Sequence, residues 1–213
     1  MGQRTVIVGA GGMGREAAAW ALDADPRREL VGFVDDDPAT HGTEVAGLPV
    51  LGSVDEFTRL GDAEVVVAIG NPASRHDVVR RLDSVEARIA TIVHPDACLG
   101  PRVQIADGAI ICPGVVLTCD IRVERAAIVN YGALIGHDGV IGPFSFIAPG
   151  VNLGGNVTVG AFADVGLGAS VIQGCTIGQR TVVGAGAVVI RDVPERTTVV
   201  GVPAAPLRRD VDG

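Results

Sequence analysis

The stretch Val129-Asn-Tyr-Gly-Ala-Leu-Ile135-Gly-His-Asp-Gly-Val-Ile141-Gly-Pro-Phe-Ser-Phe-Ile147-Ala-Pro-Gly-Val-Asn-Leu153 carries an aliphatic side chain at every sixth place. The same spacing runs outward in both directions, from Leu99, Ile105 and Ile111 at one end to Ile177, Val183 and Val189 at the other, sixteen positions without an exception or insertion. Four places after each stands a residue that is usually small or β-branched, among them Ala109, Ala127, Ala133, Ser145, Ala163 and Cys175. Glycine often follows the aliphatic residue, as at Gly136, Gly142 and Gly154. A period of six fits neither the 3.6 of a helix nor the 2 of a half-exposed strand. It fits a parallel β-helix in which each hexad makes one flat wall and one corner, with the large side chains stacked in columns inside. Three walls close a coil of about 18 residues. The hexads therefore predict a little over five coils, each rising about 4.8 Å.

Composition agrees. Hydrophobic residues make up 47% of the 213, but aromatics only 3%, so the core must be built from Val, Ile, Leu and Ala. The net charge of −8, with no basic stripe, argues against nucleic acid or an anionic membrane surface as partner. All 17 basic residues are Arg. No apolar run approaches the roughly 18 residues of a spanning helix, and the N-terminus enters a strand directly, without the pattern of a cleavable leader. A soluble cytoplasmic protein is expected. Cys98, Cys112, Cys119 and Cys175 form no CxxC pair and have no histidine at finger spacing, so no metal is expected.

Residues before the repeat read differently. Strands are expected at 5–8, 30–34, 64–69 and 88–93, with helices near 15–25, 54–60 and 73–82, an alternation that predicts a parallel sheet with crossover helices. Gly9-Ala-Gly-Gly-Met-Gly14 satisfies GxGxxG between a strand and a helix, and Asp35 and Asp36 follow about 20 residues on. Such a loop brings backbone N–H groups to a phosphate at a helix N-terminus, and the acids can accept hydrogen bonds from a ribose or base. The expected organisation is a Rossmann-like α/β domain over 1–94 that binds a nucleotide, then an all-β domain with a C-terminal tail over 95–213.

Hexads of this kind resemble the left-handed parallel β-helix of hexapeptide-repeat acyltransferases. The whole chain resembles the sugar O- and N-acetyltransferases of the sialic-acid and nucleotide-amino-sugar type. The likeness rests on Val8-Gly-Ala-Gly-Gly-Met-Gly14, Gly32-Phe-Val-Asp-Asp36, Ala68-Ile-Gly-Asn71, Ile92-Val-His-Pro95, Asn130, Gly136-His-Asp138 and the Gly-Val-Pro-Ala tail at 201–204. It implies an acetyl-CoA-dependent acetyltransferase, a homotrimer with acetyl-CoA between neighbouring prisms, and a nucleotide-linked amino sugar as acceptor.

Acetyl transfer from a thioester needs a base near neutral pH, and histidine is the usual agent. His137 falls outside the inward rows of its hexad, and the resemblance gives it that role, with Asp138 raising its basicity or fixing its tautomer. By the same resemblance the acceptor's nucleotide part lies on Gly11, Gly12 and Met13, with Asp35, Asp36 and Gly70 around base and ribose. Acetyl-CoA passes Phe146, Leu167 and Ala185, and Asn130 and the Gly155 N–H orient the acceptor or hold the oxyanion. The family often has His at the place of Met13, and some relatives have His at the place of Phe146. The rival readings are O-acetylation of a free sugar such as a sialic acid, a metal hydratase, an NAD-dependent oxidoreductase and a non-catalytic scaffold. Too few histidines stand in the repeat for the hydratase, and GxGxxG alone, which suggests the oxidoreductase, leaves the hexads unexplained.

Overall fold

The computed structural model describes residues 2–207; the end of the expected tail, 208–213, lies outside the described residues. The chain opens with β1 (Gln3–Val8), α1 (Gly12–Ala24) and β2 (Arg28–Val34). An antiparallel hairpin of β3 (Glu44–Val45) and β4 (Leu48–Pro49) follows, then a 3-10 turn at Val54–Leu60, β5 (Glu64–Val67) and α2 (Pro72–Ser84). Strands β2, β1 and β5 pair in parallel in that order. The aliphatic runs of β1 and β5 are buried on both faces, as a covered parallel sheet requires. Two details differ from the sequence expectation. The segment near 54–60 is a 3-10 turn and not an α-helix, and the hairpin was not foreseen because its strands are two residues long and show no alternation.

The expected strand at 88–93 is divided between two structures. Ile89 bridges to Val65 of the sheet, whereas Ile92–Val93 pairs with Ile110–Ile111 and is already the first wall of the solenoid. Val93 stands six residues before Leu99, so the hexad series begins one step earlier than Leu99.

From there the chain coils in steps of eighteen residues: Ile110–Ile111 on Ile128–Val129, on Phe146–Ile147, on Asp164–Val165, on Val182–Val183. These form the first wall. The second holds Val116–Leu117, Leu134–Ile135 and Asn152–Leu153, and the third Arg122–Val123, Val140–Ile141 and Thr158–Val159. Each wall is a two-residue strand whose second residue points inward. Leu117, Ile135, Ile141, Ile147, Val165 and Ile177 are fully or almost fully buried, and so is the second inward row of Ala127, Ala133, Ser145 and Ala163. Each large column residue contributes roughly 1.5–3 kcal/mol by leaving water. Leu99, by contrast, stays 42% exposed, because no coil lies above it. The period breaks at the far end, where Val193 pairs with Ile177 and Thr198 with Val182, two residues short of a full coil.

The α/β part sits on the first wall. Its Ile7, Ala17, Ala21 and Phe33 share one core cluster with Ile92, Ile110 and Ile128, and the outward side chains of Ile110 and Ile128 are fully buried there.

Candidate active site

In a parallel sheet the crevice lies outside the carboxyl ends of the strands where the strand order reverses. Here that point is between β1 and β5, and the loops that face it are 9–12 and 69–71. A Cβ on Gly14 would run into the Gly9 carbonyl oxygen, so glycine is required for α1 to approach β1 this closely. Gly11 has open space around it. Asp35 holds the loop from the side: its Oδ2 accepts from the Ala10 N–H at 2.7 Å and its Oδ1 from the Asp37 N–H at 2.9 Å. The acid expected near a ribose is thus the pin of the glycine loop. Asp36 is engaged differently. Its carboxylate pairs with Arg81 and accepts from the Val54 N–H at 3.1 Å, so it is committed to the protein. The Arg81 guanidinium holds it below the usual carboxylate range, against the opposing effect of partial burial.

Helix α1 runs along the corner between the first and second walls. Near its C-terminal end Asp23 meets His94 Nε2 at 3.2 Å, and His94 Nδ1 accepts from the Asp96 N–H at 3.1 Å, so this histidine is structural. Cys112 stands one coil further, where burial and the nearby Glu16 push its thiol up. Asn130 is the next residue of this column and is buried, its Oδ1 accepting from the Tyr131 N–H at 2.8 Å. The helix therefore points Gly12 and the half-buried Met13 toward the Asn130 end of the corner. Phe146, outward on the first wall, lies beneath the 69–71 loop: a Cβ on Gly70 would stand 3.9 Å from its ring. Leu167 and Ala185 follow on the same corner, Leu167 at 57% exposure.

His137 is elsewhere. It projects from the corner between the second and third walls, largely exposed, with Nδ1 2.8 Å from Asp138 Oδ2. Asp138 adopts φ +57°, one of a column of left-handed corner residues with Arg102, Asp120 and Asn156. Backbone bonds lock that column: the Asp138 N–H donates to Cys119 O and the Asn156 N–H to His137 O at 2.7 Å. Gly155 lies one coil beyond His137, and a Cβ there would collide with the imidazole. Cys119 lies one coil before it, its thiol pushed up by burial and by Asp120. Asp120 in turn is held low by Arg102.

The expected site residues thus fall into two groups. Gly11, Gly12, Met13, Asp35 and Gly70 lie in the α/β part, which sits on the first wall, and Asn130, Phe146, Leu167 and Ala185 lie on that wall and its corner, while His137, Asp138 and Gly155 stand across the second wall. That wall presents Cys98, Val116, Leu134, Asn152, Ser170 and Val188 outward, with Tyr131 and Ile172 at its two edges; Leu134 is 46% exposed and Asn152 is exposed too. The third wall shows Gln104, Arg122, Thr158 and Thr176 to solvent. Among the described residues no cluster of His, Cys, Asp or Glu could hold a metal ion, and no helix is long and apolar enough to cross a membrane. Sequence reasoning missed Arg75, a fully buried side chain at the junction of the two parts. On an ordinary amphipathic helix nothing signals it.

Comparison with known proteins agrees with this architecture. Residues 4–82 match the PglD N-terminal domain family. No curated protein matches the chain. Among solved structures, perosamine N-acetyltransferase from Caulobacter crescentus, a His→Asn variant in complex with CoA and GDP-perosamine, is 33% identical over 98% of both chains, with a TM-score of 0.90. WeeI from Acinetobacter baumannii AYE is 30% identical over 96% of this chain and all of its own, also at 0.90. The acetyltransferase domain of PglB from Neisseria gonorrhoeae FA1090, in complex with acetyl coenzyme A, is 31% identical over 97% of this chain and 100% of its own, at 0.75. With a nucleotide-type crevice, a hexapeptide solenoid and full-length likeness to these enzymes, the chain belongs to the hexapeptide-repeat sugar acetyltransferases and uses acetyl-CoA as its co-substrate.

Proposed function

We propose that the protein N-acetylates a nucleotide-linked amino sugar, UDP- or GDP-bound, by direct transfer in a ternary complex. The acceptor's nucleotide part occupies the crevice at 9–13 and 69–71, and its amine reaches toward the first corner. Acetyl-CoA lies along the solenoid past Leu167 and Ala185. His137 takes the proton as nitrogen attacks the acetyl carbonyl; the C–N bond forms, the C–S bond breaks, and the thiolate leaves and is protonated as CoA. Asp138 accepts a hydrogen bond from Nδ1 and so leaves Nε2 free to act as base. Cys119 is the one thiol near His137, and its raised pKa keeps it out of the thiolate form that an acyl-enzyme would need. The reaction belongs in the cytoplasm, where acetyl-CoA is supplied.

One observation carries the reading: His137 and the crevice at 9–13 and 69–71 stand on opposite sides of the second wall, whose outward side chains are Cys98, Val116, Leu134, Asn152, Ser170 and Val188. A ring of three chains that turns this wall inward brings the His137 corner of one to the Asn130 corner of the next, and every site then uses two chains. Thiol release with acetyl-CoA and a panel of UDP- and GDP-amino sugars tests the acceptor; turnover with free sialic acid alone would replace this reading by O-acetylation. His137→Ala is expected to lower turnover about 100- to 10,000-fold with acetyl-CoA binding nearly intact. Co-expression tests the ring. His137→Ala and Gly11→Trp, the second filling the crevice, are each inactive alone. Mixed chains should recover roughly a quarter of wild-type activity if sites form between chains. No recovery would place each site within one chain.

A further inference from the structure

Arg75, in the first turn of α2, is fully buried, and no carboxylate among the described residues bonds or pairs with it. Its hydrogen-bond acceptors are all backbone carbonyls. Nε donates to Ala126 O at 2.8 Å, Nη1 to Ile69 O and Gly70 O at 2.5 and 2.7 Å, and Nη2 to Phe144 O and Ser145 O at 2.7 and 2.9 Å. A guanidinium has five N–H donors in a rigid fork, so every one is used. Burial lowers its pKa to about 10, with the charge of Asp164 opposing the shift, and it remains a cation at neutral pH.

Three of the five carbonyls belong to the solenoid and two to the loop after β5, so one side chain fastens that loop to the other part of the molecule. The direction of the two loop carbonyls matters more. Across a trans peptide the C=O and the following N–H point to opposite sides. With Ile69 O and Gly70 O turned onto the guanidinium, the N–H groups of Gly70 and Asn71 turn away from it, in the loop that borders the crevice. Neither has a hydrogen-bond partner among the described residues. Asn71 also caps α2, its Oδ1 accepting from the Ser74 N–H at 3.0 Å, which sets the positive end of that helix behind the same spot.

We infer that Arg75 is a positioning residue that holds the Gly70 and Asn71 N–H groups out as a two-donor seat for an anionic oxygen of the acceptor's nucleotide part. The inference rests on the acceptor reading above and names the group that prepares its site. A lysine at 75 keeps the charge but loses the planar fork and two of the five donors, so the two peptides are no longer both held.

The test is calorimetric titration of the full chain and of R75K with GDP, with UDP and with acetyl-CoA. The wild type should bind one of the diphosphates, and R75K should bind it about 10- to 100-fold more weakly while its acetyl-CoA affinity stays within about twofold. An arginine that only stabilised the fold would lower both affinities together or neither. Equal diphosphate affinity in folded R75K overturns the inference and leaves the acceptor reading standing. A wild type that binds neither diphosphate overturns the acceptor reading and this inference with it. If R75K does not fold, wild-type ¹⁵N amide shifts decide: Gly70 and Asn71 must move as the diphosphate saturates, and two unmoved amides refute the seat.

Discussion

The two parts of this molecule place chemical groups by opposite means. In the solenoid, position follows from register: each rung repeats the one before, the backbone ladder runs from coil to coil, and a residue such as His137 needs little more than its place in the hexad. In the α/β part, a few side chains bend loops to order. Asp35 pins Ala10, Glu56 closes a capping box on Ser53, Asn71 caps α2 and Arg75 gathers five carbonyls. A repeat therefore tolerates change along its surface and resists it inside, whereas the α/β part is vulnerable wherever one polar pin sits.

Substitutions at matched positions put that contrast at risk. The largest expected effect is Gly155→Ala. Its Cβ displaces the His137 imidazole, and turnover should fall about 100-fold, roughly 2.7 kcal/mol, while the melting temperature hardly moves. Wild-type turnover in that variant would detach His137 from the chemistry. Gly14→Ala comes next. Its Cβ meets backbone and not a side chain that could swing aside, so chemical denaturation should show a loss of about 2 kcal/mol, with nucleotide affinity falling and acetyl-CoA affinity kept. Equal loss of both affinities would mean that the two parts do not respond separately.

The smallest effect belongs to Asp36, whose pairing with Arg81 is partly exposed and so screened by solvent. Because the folded-state pKa of Asp36 is lowered, its contribution is present above the unfolded value near 3.9 and fades as pH falls through the lower folded value. Asp36→Asn should cost under about 1 kcal/mol at pH 7, and the difference from wild type should vanish at the acid end of a thermal-unfolding series. A difference that grew as pH fell would reverse the sign.

How much of this was legible in the sequence follows from the same contrast. The hexads disclosed both inward rows, and the third place of the hexad at His137 was enough to put its ring outside, because register is a property of spacing alone. Counting back one more step also assigns Val93 to the solenoid. The shortened last coil left no mark beyond the end of the series. In the α/β part GxGxxG located the crevice, but nothing distinguished Asp35, which reaches across to the loop, from Asp36, which turns to Arg81. Arg75 was invisible for the same reason: its partners are carbonyls, and carbonyls are present at every residue.

The column of left-handed corner residues that includes Asp138 has a consequence for how such an enzyme can change. The solenoid is a ruler graduated in strides of about 4.8 Å, and a side chain shifted by one full turn of sequence keeps its heading while moving one graduation along the axis. A reactive group that keeps its heading can be relocated on this scaffold only in whole strides, so its distance from a fixed partner is chosen from a short set of lengths rather than adjusted continuously.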